Sequence, residues 1–449
     1  MNKQRVYIET YGCQMNVADT EIVKGILSRS GYSFTESAEL ADVILINTCA
    51  IREHAEERIY GRLGAFRTMK KHNPDLVVGI LGCMAERLRK QLIEEEQVVD
   101  LVAGPDEYRR LPELIDTALV GEKGIAVRLS KTETYDDIEP YREDGISAWI
   151  AVMRGCDKFC TFCVVPFTRG RERSRPLMSI VDEVKELTRR GFKEVNLLGQ
   201  NVNSYRDGEY DFADLLAAVA KVDPTMRVRF ITSHPQDFSD KLIHTIAEYE
   251  NICNYIHLPI QSGSNRILEL MNRTYTVEHY LERVETARKI IPGVSFSTDI
   301  IAGFPTETEE DHQMTLEILR KVRFDGAFMF KYSPRERTKA FEMGDDIPDE
   351  VKTQRLNEII ELQQKISYEI NQDLVGKVVE VLIEGFSKKS KDFYMGRTDT
   401  NKIVILPKED LEIGDYCVAK IIRANSATLF AEKAEKLERS NRITKYAEV

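Results

Sequence analysis

Three cysteines fall close together in the stretch GCDKFCTFC that begins at Gly155: Cys156, Cys160 and Cys163. Thiolates are soft ligands, so a group of them points to zinc or to an iron–sulfur cluster. A structural zinc site asks for four protein ligands. His234 or His257 could bring the fourth from elsewhere in the chain. Electron-transfer clusters are also usually held by four cysteines. A four-iron cluster held by only three thiolates keeps one iron open to an exogenous ligand, and that makes it a reagent.

A second triplet is spread widely. Cys13, Cys49 and Cys83 are separated by 36 and 34 positions. RVYIET precedes Cys13, DVILINT precedes Cys49 and LVVGILG precedes Cys83, and a helix-like pattern follows each cysteine. A fourth strand-like run, VDLVAG, ends the block. Strands alternating with helices in this way predict a doubly wound parallel sheet. Ligands of such sheets bind beyond the carboxyl ends of the strands. Each cysteine lies at such an end, so the three can share one rim; the alternative is three unrelated buried thiols. Cys253 and Cys417 have no partner spacing and read as small buried hydrophobes.

The elements that must position the first triplet begin at Ala148. AWIAVM, EVNLLG, RVRFIT, YIHLP, VSFSTDII and GAFMFKY are strand candidates with helical patterns between them. Six βα units predict a partial or complete parallel barrel whose working face is the carboxyl ends of its strands. Cys156, Cys160 and Cys163 follow the first of these strands directly. Ile359, Leu362, Ile366 and Ile370 then recur at helical spacing in one long amphipathic helix. Beyond Leu374 short β-like runs between turn residues predict a small all-β barrel of about five strands. The expected fold class is therefore α/β followed by all-β. Its divisions are an amino-terminal sheet domain over 1–121, a polar linker over 122–145, a barrel domain over 146–373 and a β-barrel over 374–438.

Composition sets the outer bounds. The 449 residues are 42% apolar and 31% charged, the balance of a soluble globular protein. No uncharged apolar run reaches the ~18 residues that a membrane helix needs, so no membrane partner is expected. The opening MNKQRVYIET has no apolar leader, which makes a cytoplasmic location the expectation. Eight cysteines in such a chain point to metal binding or catalysis before a disulfide framework.

A CxxxCxxC loop after the first strand of a (βα)₆ barrel resembles the radical S-adenosylmethionine (SAM) enzymes. The resemblance implies a 4Fe-4S cluster on Cys156, Cys160 and Cys163, with SAM chelating the open iron. It places Phe162 near the adenine of SAM; plain core packing is the other reading of that residue. Over almost the whole chain the arrangement is similar to the radical SAM methylthiotransferases, which end in a TRAM domain. In that family the first three cysteines, here Cys13, Cys49 and Cys83, hold a second 4Fe-4S cluster. YGCQMN (11–16), NTCAIREHAEER (47–58) and FCVVPFTRGRERSRP (162–176) resemble the tRNA-acting branch. The activity implied is methylthiolation of carbon 2 of an isopentenylated adenosine in the tRNA anticodon stem-loop. SAM would serve both as methyl donor and as radical source, with an electron donor such as a flavodoxin or ferredoxin. The rival readings are methylthiolation of a ribosomal-protein aspartate, and a non-enzymatic iron–sulfur or RNA-binding protein.

Further cofactor contacts are expected at other strand ends: Gln200, Asn201, Ser233, Gln261, Ser262 and Gly303. Each could instead be a turn residue or a helix cap. The net charge of −11 does not favour RNA, but two local patches do. Between Arg154 and Arg175 six basic residues face two acidic ones. In the last domain Lys388, Lys389, Lys391, Arg397 and Lys402 surround Phe393 and Tyr394, a mixture suited to looped RNA.

Overall fold

A computed structural model describes residues 4–49 and 53–437, without the side chains of 53–57 and 433. Part of the NTCAIREHAEER stretch therefore lies outside the described residues, as does position 438 of the last domain.

The amino-terminal sheet has six parallel strands, two more than expected. Val43–Thr48 and Val77–Gly82 run through its centre and are buried at every position. Both are continuous apolar runs, as strands covered on two faces must be. Arg5–Thr10 pairs with Val43–Thr48, and Leu101–Ala103 pairs with Val77–Gly82. The additional strands, Ser33–Phe34 and Gly124–Ala126, form the two edges. Gly124–Ala126 falls inside the segment expected to be a linker. That segment is packed against the domain: Tyr135 is buried and stacks on Tyr108, and its hydroxyl donates to the Pro105 carbonyl. A three-residue strand and one anchoring tyrosine leave no periodicity, so the polar composition of 122–145 concealed them.

The second domain carries the six expected strands as Ser147–Ala151, Glu194–Leu198, Arg227–Ile231, Tyr255–His257, Ser295–Ala302 and Gly326–Lys331. They form two parallel three-stranded sheets joined by the Val228–Ile252 bridge, a (βα)₆ partial barrel. Ile150, Val195, Leu197, Phe230, Phe296 and Ile300 point outward into one core with the surrounding helices. The alternate positions are polar and form a chain of hydrogen bonds inside the barrel. Asn196 donates to Ser147, Arg229 donates to Glu194, and Ser297 bonds both Tyr255 and His257. The long helix Asp349–Gln372 closes the outside, with Ile359 and Ile366 buried in that core and Leu362 and Ile370 packed on it.

The last domain is a closed five-stranded barrel from Val378–Ser387 to Thr428–Lys436. It docks on the amino-terminal ends of the (βα)₆ strands. Arg227 donates to Glu380 at 2.9 Å and to the Arg397 carbonyl at 2.7 Å. Arg229 donates to the carbonyls of Thr398 and Asp399 at 2.6 and 2.7 Å. The 397–399 turn thus stoppers the end of the barrel opposite the cysteine loop. Among the described residues no helix is long and apolar enough to cross a membrane.

Candidate cluster and cofactor sites

The CxxxCxxC loop begins at Gly155, after the two-residue strand Met153–Arg154 that follows the first barrel strand. The φ of Gly155 is +80°, and a Cβ there would stand 2.0 Å from the Arg171 carbonyl oxygen, so the turn requires glycine. The loop is clamped from below. Thr161 donates its N–H to Met271 and its hydroxyl to Leu270, and Asn272 donates to the carbonyls of Lys158 and Phe159. Arg273 follows at once and donates through Nη1 to Cys160 Sγ at 3.2 Å. Its other nitrogens are taken by Tyr275 and the Pro259 carbonyl. Cys156, Cys160 and Cys163 are close enough to act on one another electrostatically. Burial pushes the thiols of Cys156 and Cys163 up to about 12, so iron must displace protons to bind. Among the described residues no three His, Cys, Asp or Glu side chains converge on a single metal ion. A four-iron cube is a larger body and needs its thiols further apart.

The expected cofactor residues follow the carboxyl ends of the barrel strands, with different degrees of freedom. Asn201 donates to Asp237, which also pairs with Lys158 of the cysteine loop at 2.7 Å. Asn203 bonds the backbone of His234 in both directions and so ties the Asn201 loop to the Ser233 loop. Asn201 Oδ1, Ser233 Oγ and His234 Nε2 are buried without hydrogen-bond partners among the described residues. Such atoms cost free energy unless something meets them. Three of them beside a cysteine loop suit a polar cofactor such as SAM. Burial, with Arg273 and Lys158 nearby, pushes the His234 imidazole down to about 2, so it stays neutral. Gln200 is engaged, accepting from the Gly155 N–H at 2.6 Å. Ser262 accepts from the Ser264 N–H, the Gly303 N–H donates to Glu307, and Gln261 sits at φ +72° with its N–H on the Asp299 carbonyl. Phe162 is half-buried against the group of Ile267, Met271, Phe304 and Tyr332.

Cys13, Cys49 and Cys83 meet at the rim of the amino-terminal sheet. Cys13 caps the helix Gln14–Arg29, Cys49 follows Val43–Thr48, and Cys83 opens the helix Cys83–Leu88. Gly12 lets the loops touch: its φ is +118° and a Cβ there would lie 2.6 Å from Cys49 Cβ. A hydrogen bond from Cys49 pulls the Cys13 thiol down from its ordinary value, and the Arg169 charge assists. Burial raises the Cys83 thiol, and Arg169 opposes that rise. Cys13 also packs with Met15 and Ala18 against Ala151, Leu198 and Ile231 at the carboxyl ends of barrel strands. The two cysteine triplets therefore lie on faces turned toward each other.

A buried charge network joins those faces. Asp19, on the helix that Cys13 caps, pairs with Arg154 at 2.7 Å and Arg169 at 2.8 Å. Asp106 pairs with Arg173 at 2.9 Å, and Glu183 pairs with Arg175 at 2.8 Å. Arg154, Arg169, Arg173 and Arg175 are all buried. The basic run expected to attract phosphate is thus turned largely inward. Its partners lie up to 150 residues away in sequence, beyond the reach of a local charge count. In the last domain Tyr394 is buried, Arg397 pairs with Glu384, and Lys402 reaches Asp325. Lys388, Lys389, Lys391 and Phe393 remain exposed.

Comparison with known proteins agrees with this architecture. Three family models match in succession: Uncharacterized protein family UPF0004 over residues 5–104, the Radical SAM superfamily over 150–319, and the TRAM domain over 372–434. The radical SAM methyltransferase TsrM of Kitasatospora setae, solved with cobalamin and a 4Fe-4S cluster, has a similar fold. Its TM-score is 0.58 at 16% identity, covering 75% of this chain and 77% of that one. The cobalamin-dependent SAM radical enzyme OxsB gives 0.52 at 12% identity over 81% of this chain and 56% of its own. Fold and cysteine loop together define a radical SAM enzyme that carries a TRAM domain. Full-length relatives are far more similar. The tRNA-2-methylthio-N(6)-dimethylallyladenosine synthase of Chloroherpeton thalassium is 56% identical over 95% of both chains. That of Parabacteroides distasonis is 51% identical over 97% of this chain and 96% of its own. The chain belongs to the family of the tRNA-2-methylthio-N(6)-dimethylallyladenosine synthases.

Proposed function

We propose that this chain methylthiolates carbon 2 of an isopentenylated adenosine next to the anticodon of tRNA. The supporting observation is the pair of facing cysteine triplets held in register by the Asp19 network. Cys156, Cys160 and Cys163 would hold one 4Fe-4S cluster, and Cys13, Cys49 and Cys83 a second. When bound, these groups and SAM supply a hydrogen-abstracting radical, a sulfur and a methyl group, which no side chain can supply to an aromatic C–H. The protein binds and orients. Asn201, Ser233 and His234 offer unpaired polar atoms to the cofactor. Arg273 fixes Cys160, and the half-buried Phe162 offers an apolar face beside the loop. Gln200 holds the loop's first turn, while Gln261, Ser262 and Gly303 shape neighbouring turns. The partner would be the tRNA anticodon stem-loop, engaged in part by the exposed lysines of the TRAM domain. The reductant would be a flavodoxin or ferredoxin, and the setting cytoplasmic.

The test is mass spectrometry of tRNA nucleosides from cells lacking the protein, with the gene restored in wild-type and variant forms. Loss of the methylthio group from isopentenyladenosine, regained only with wild type, is expected. Unmodified ribosomal protein alongside normal tRNA would refute the substrate. Cys156→Ala should abolish SAM cleavage. Cys13→Ala should retain cleavage without inserting sulfur.

A further inference from the structure

Arg169 belongs to one cysteine loop by sequence and to the other by position. It stands at the end of the short helix Val165–Thr168 that follows Cys163, and its N–H bonds back to the Val165 carbonyl. Its side chain crosses the domain boundary, and only 3% of the residue's surface is exposed. Nη2 donates to Asn16 Oδ1 at 3.1 Å and to Asp19 Oδ2 at 2.8 Å. Both acceptors lie on the helix that Cys13 caps. Nη1 is buried and has no hydrogen-bond partner among the described residues. The guanidinium lies near Cys83 and Cys13 and bears on both thiols.

A buried cationic N–H left unpaired carries a desolvation penalty larger than that of a neutral group. Natural folds seldom retain that penalty unless the group has a partner in the working state. Asp19 is already shared between two arginines, so it cannot turn to satisfy Nη1. After Asp19, the groups whose charge bears on the Arg169 guanidinium include Cys83 and Cys13 of the amino-terminal domain. Hydrogen bonds to cluster sulfurs raise a cluster's reduction potential, and arginine keeps its charge while presenting several donors in a fixed plane.

We infer that Arg169 is a positioning residue for the amino-terminal cluster: its Nη1 donates to that cluster's sulfur atoms while Nη2 anchors it on Asn16 and Asp19. The radical-generating loop thereby sets both the place and the potential of the sulfur-supplying site. This rests on the reading of Cys13, Cys49 and Cys83 as cluster ligands. Arg273 is the counterpart for the barrel loop, so each triplet has one buried arginine directed at it.

The test uses the full chain with Cys156, Cys160 and Cys163 replaced by alanine, reconstituted anaerobically so that only the amino-terminal site is observed. Midpoint potential is read by EPR-monitored titration in that parent, in Arg169→Gln and in Arg169→Lys. The expected result is a more negative potential in Arg169→Gln and an intermediate one in Arg169→Lys, each with the parent's iron content. If the glutamine variant lost its iron, the potential of the lysine variant would decide alone. Equal potentials in iron-replete proteins would overturn the role of Arg169 and leave the cluster assignment standing. A parent that bound no iron would overturn both.

Discussion

Arg273 and Gly12 carry the sharpest expectations at the scale of single residues. Arg273→Gln removes the donor 3.2 Å from Cys160 Sγ. The midpoint potential of the barrel cluster should then fall, and reductive SAM cleavage should slow; an unchanged potential would reduce the interaction to packing. Gly12→Ala places a methyl group where Cys49 Cβ already stands, at a φ of +118°. Iron analysis should show the amino-terminal site emptied and the barrel site intact. The shared rim position of Cys13, Cys49 and Cys83 was legible from the sequence, because their strand-end spacing follows from the βα repeat. The arginines were not. Arg273 lies 113 residues from Cys160, and only the fold brings them together.

At the scale of elements, the helix Gln14–Arg29 is the joint between the first two domains. It presents Cys13 at its start and Asp19 less than two turns later. The Arg154 and Arg169 guanidinium groups hold the Asp19 carboxyl below its usual range despite burial. A depressed pKa means stability that is present above the unfolded carboxylate pKa and is lost as pH falls through the folded one. The joint should therefore hold at neutral and mildly acidic pH and fail only under more acid conditions. Asp19→Asn should cost about 3–5 kcal/mol by leaving two buried cations short of a counter-charge. Denaturant titration checks this, and a loss under about 1 kcal/mol would mean that the network is dispensable. The strands and helices of both α/β domains were legible from their periodicity. The packing of 122–145 was not, since a tyrosine plug and a three-residue edge strand leave no repeating pattern. The inward turn of the Arg154–Arg175 run was equally hidden, because its carboxylate partners come from other elements.

For the whole molecule, the TRAM domain is built into the barrel. Removing it would strip Arg227 of Glu380 and leave buried cations exposed or unpaired. Truncation would therefore damage the barrel as well as RNA binding, and surface substitution is the cleaner experiment. Lys388, Lys389 and Lys391 changed together to alanine should weaken tRNA binding. The log–log salt slope should become shallower by roughly 0.7–0.9 for each phosphate that the lysines no longer neutralise. SAM cleavage without tRNA should stay at its original rate. Unaltered affinity and slope would move the RNA interface elsewhere.

The claim on which the rest depends is that the chain carries two clusters, one on each facing triplet. Iron and sulfide analysis with Mössbauer spectroscopy tests it on anaerobically reconstituted wild type and on the two triple Cys→Ala variants. About eight irons per chain in wild type and about four in each variant are expected, all in four-iron clusters. About four irons in wild type, or zinc in place of iron at either triplet, would contradict it.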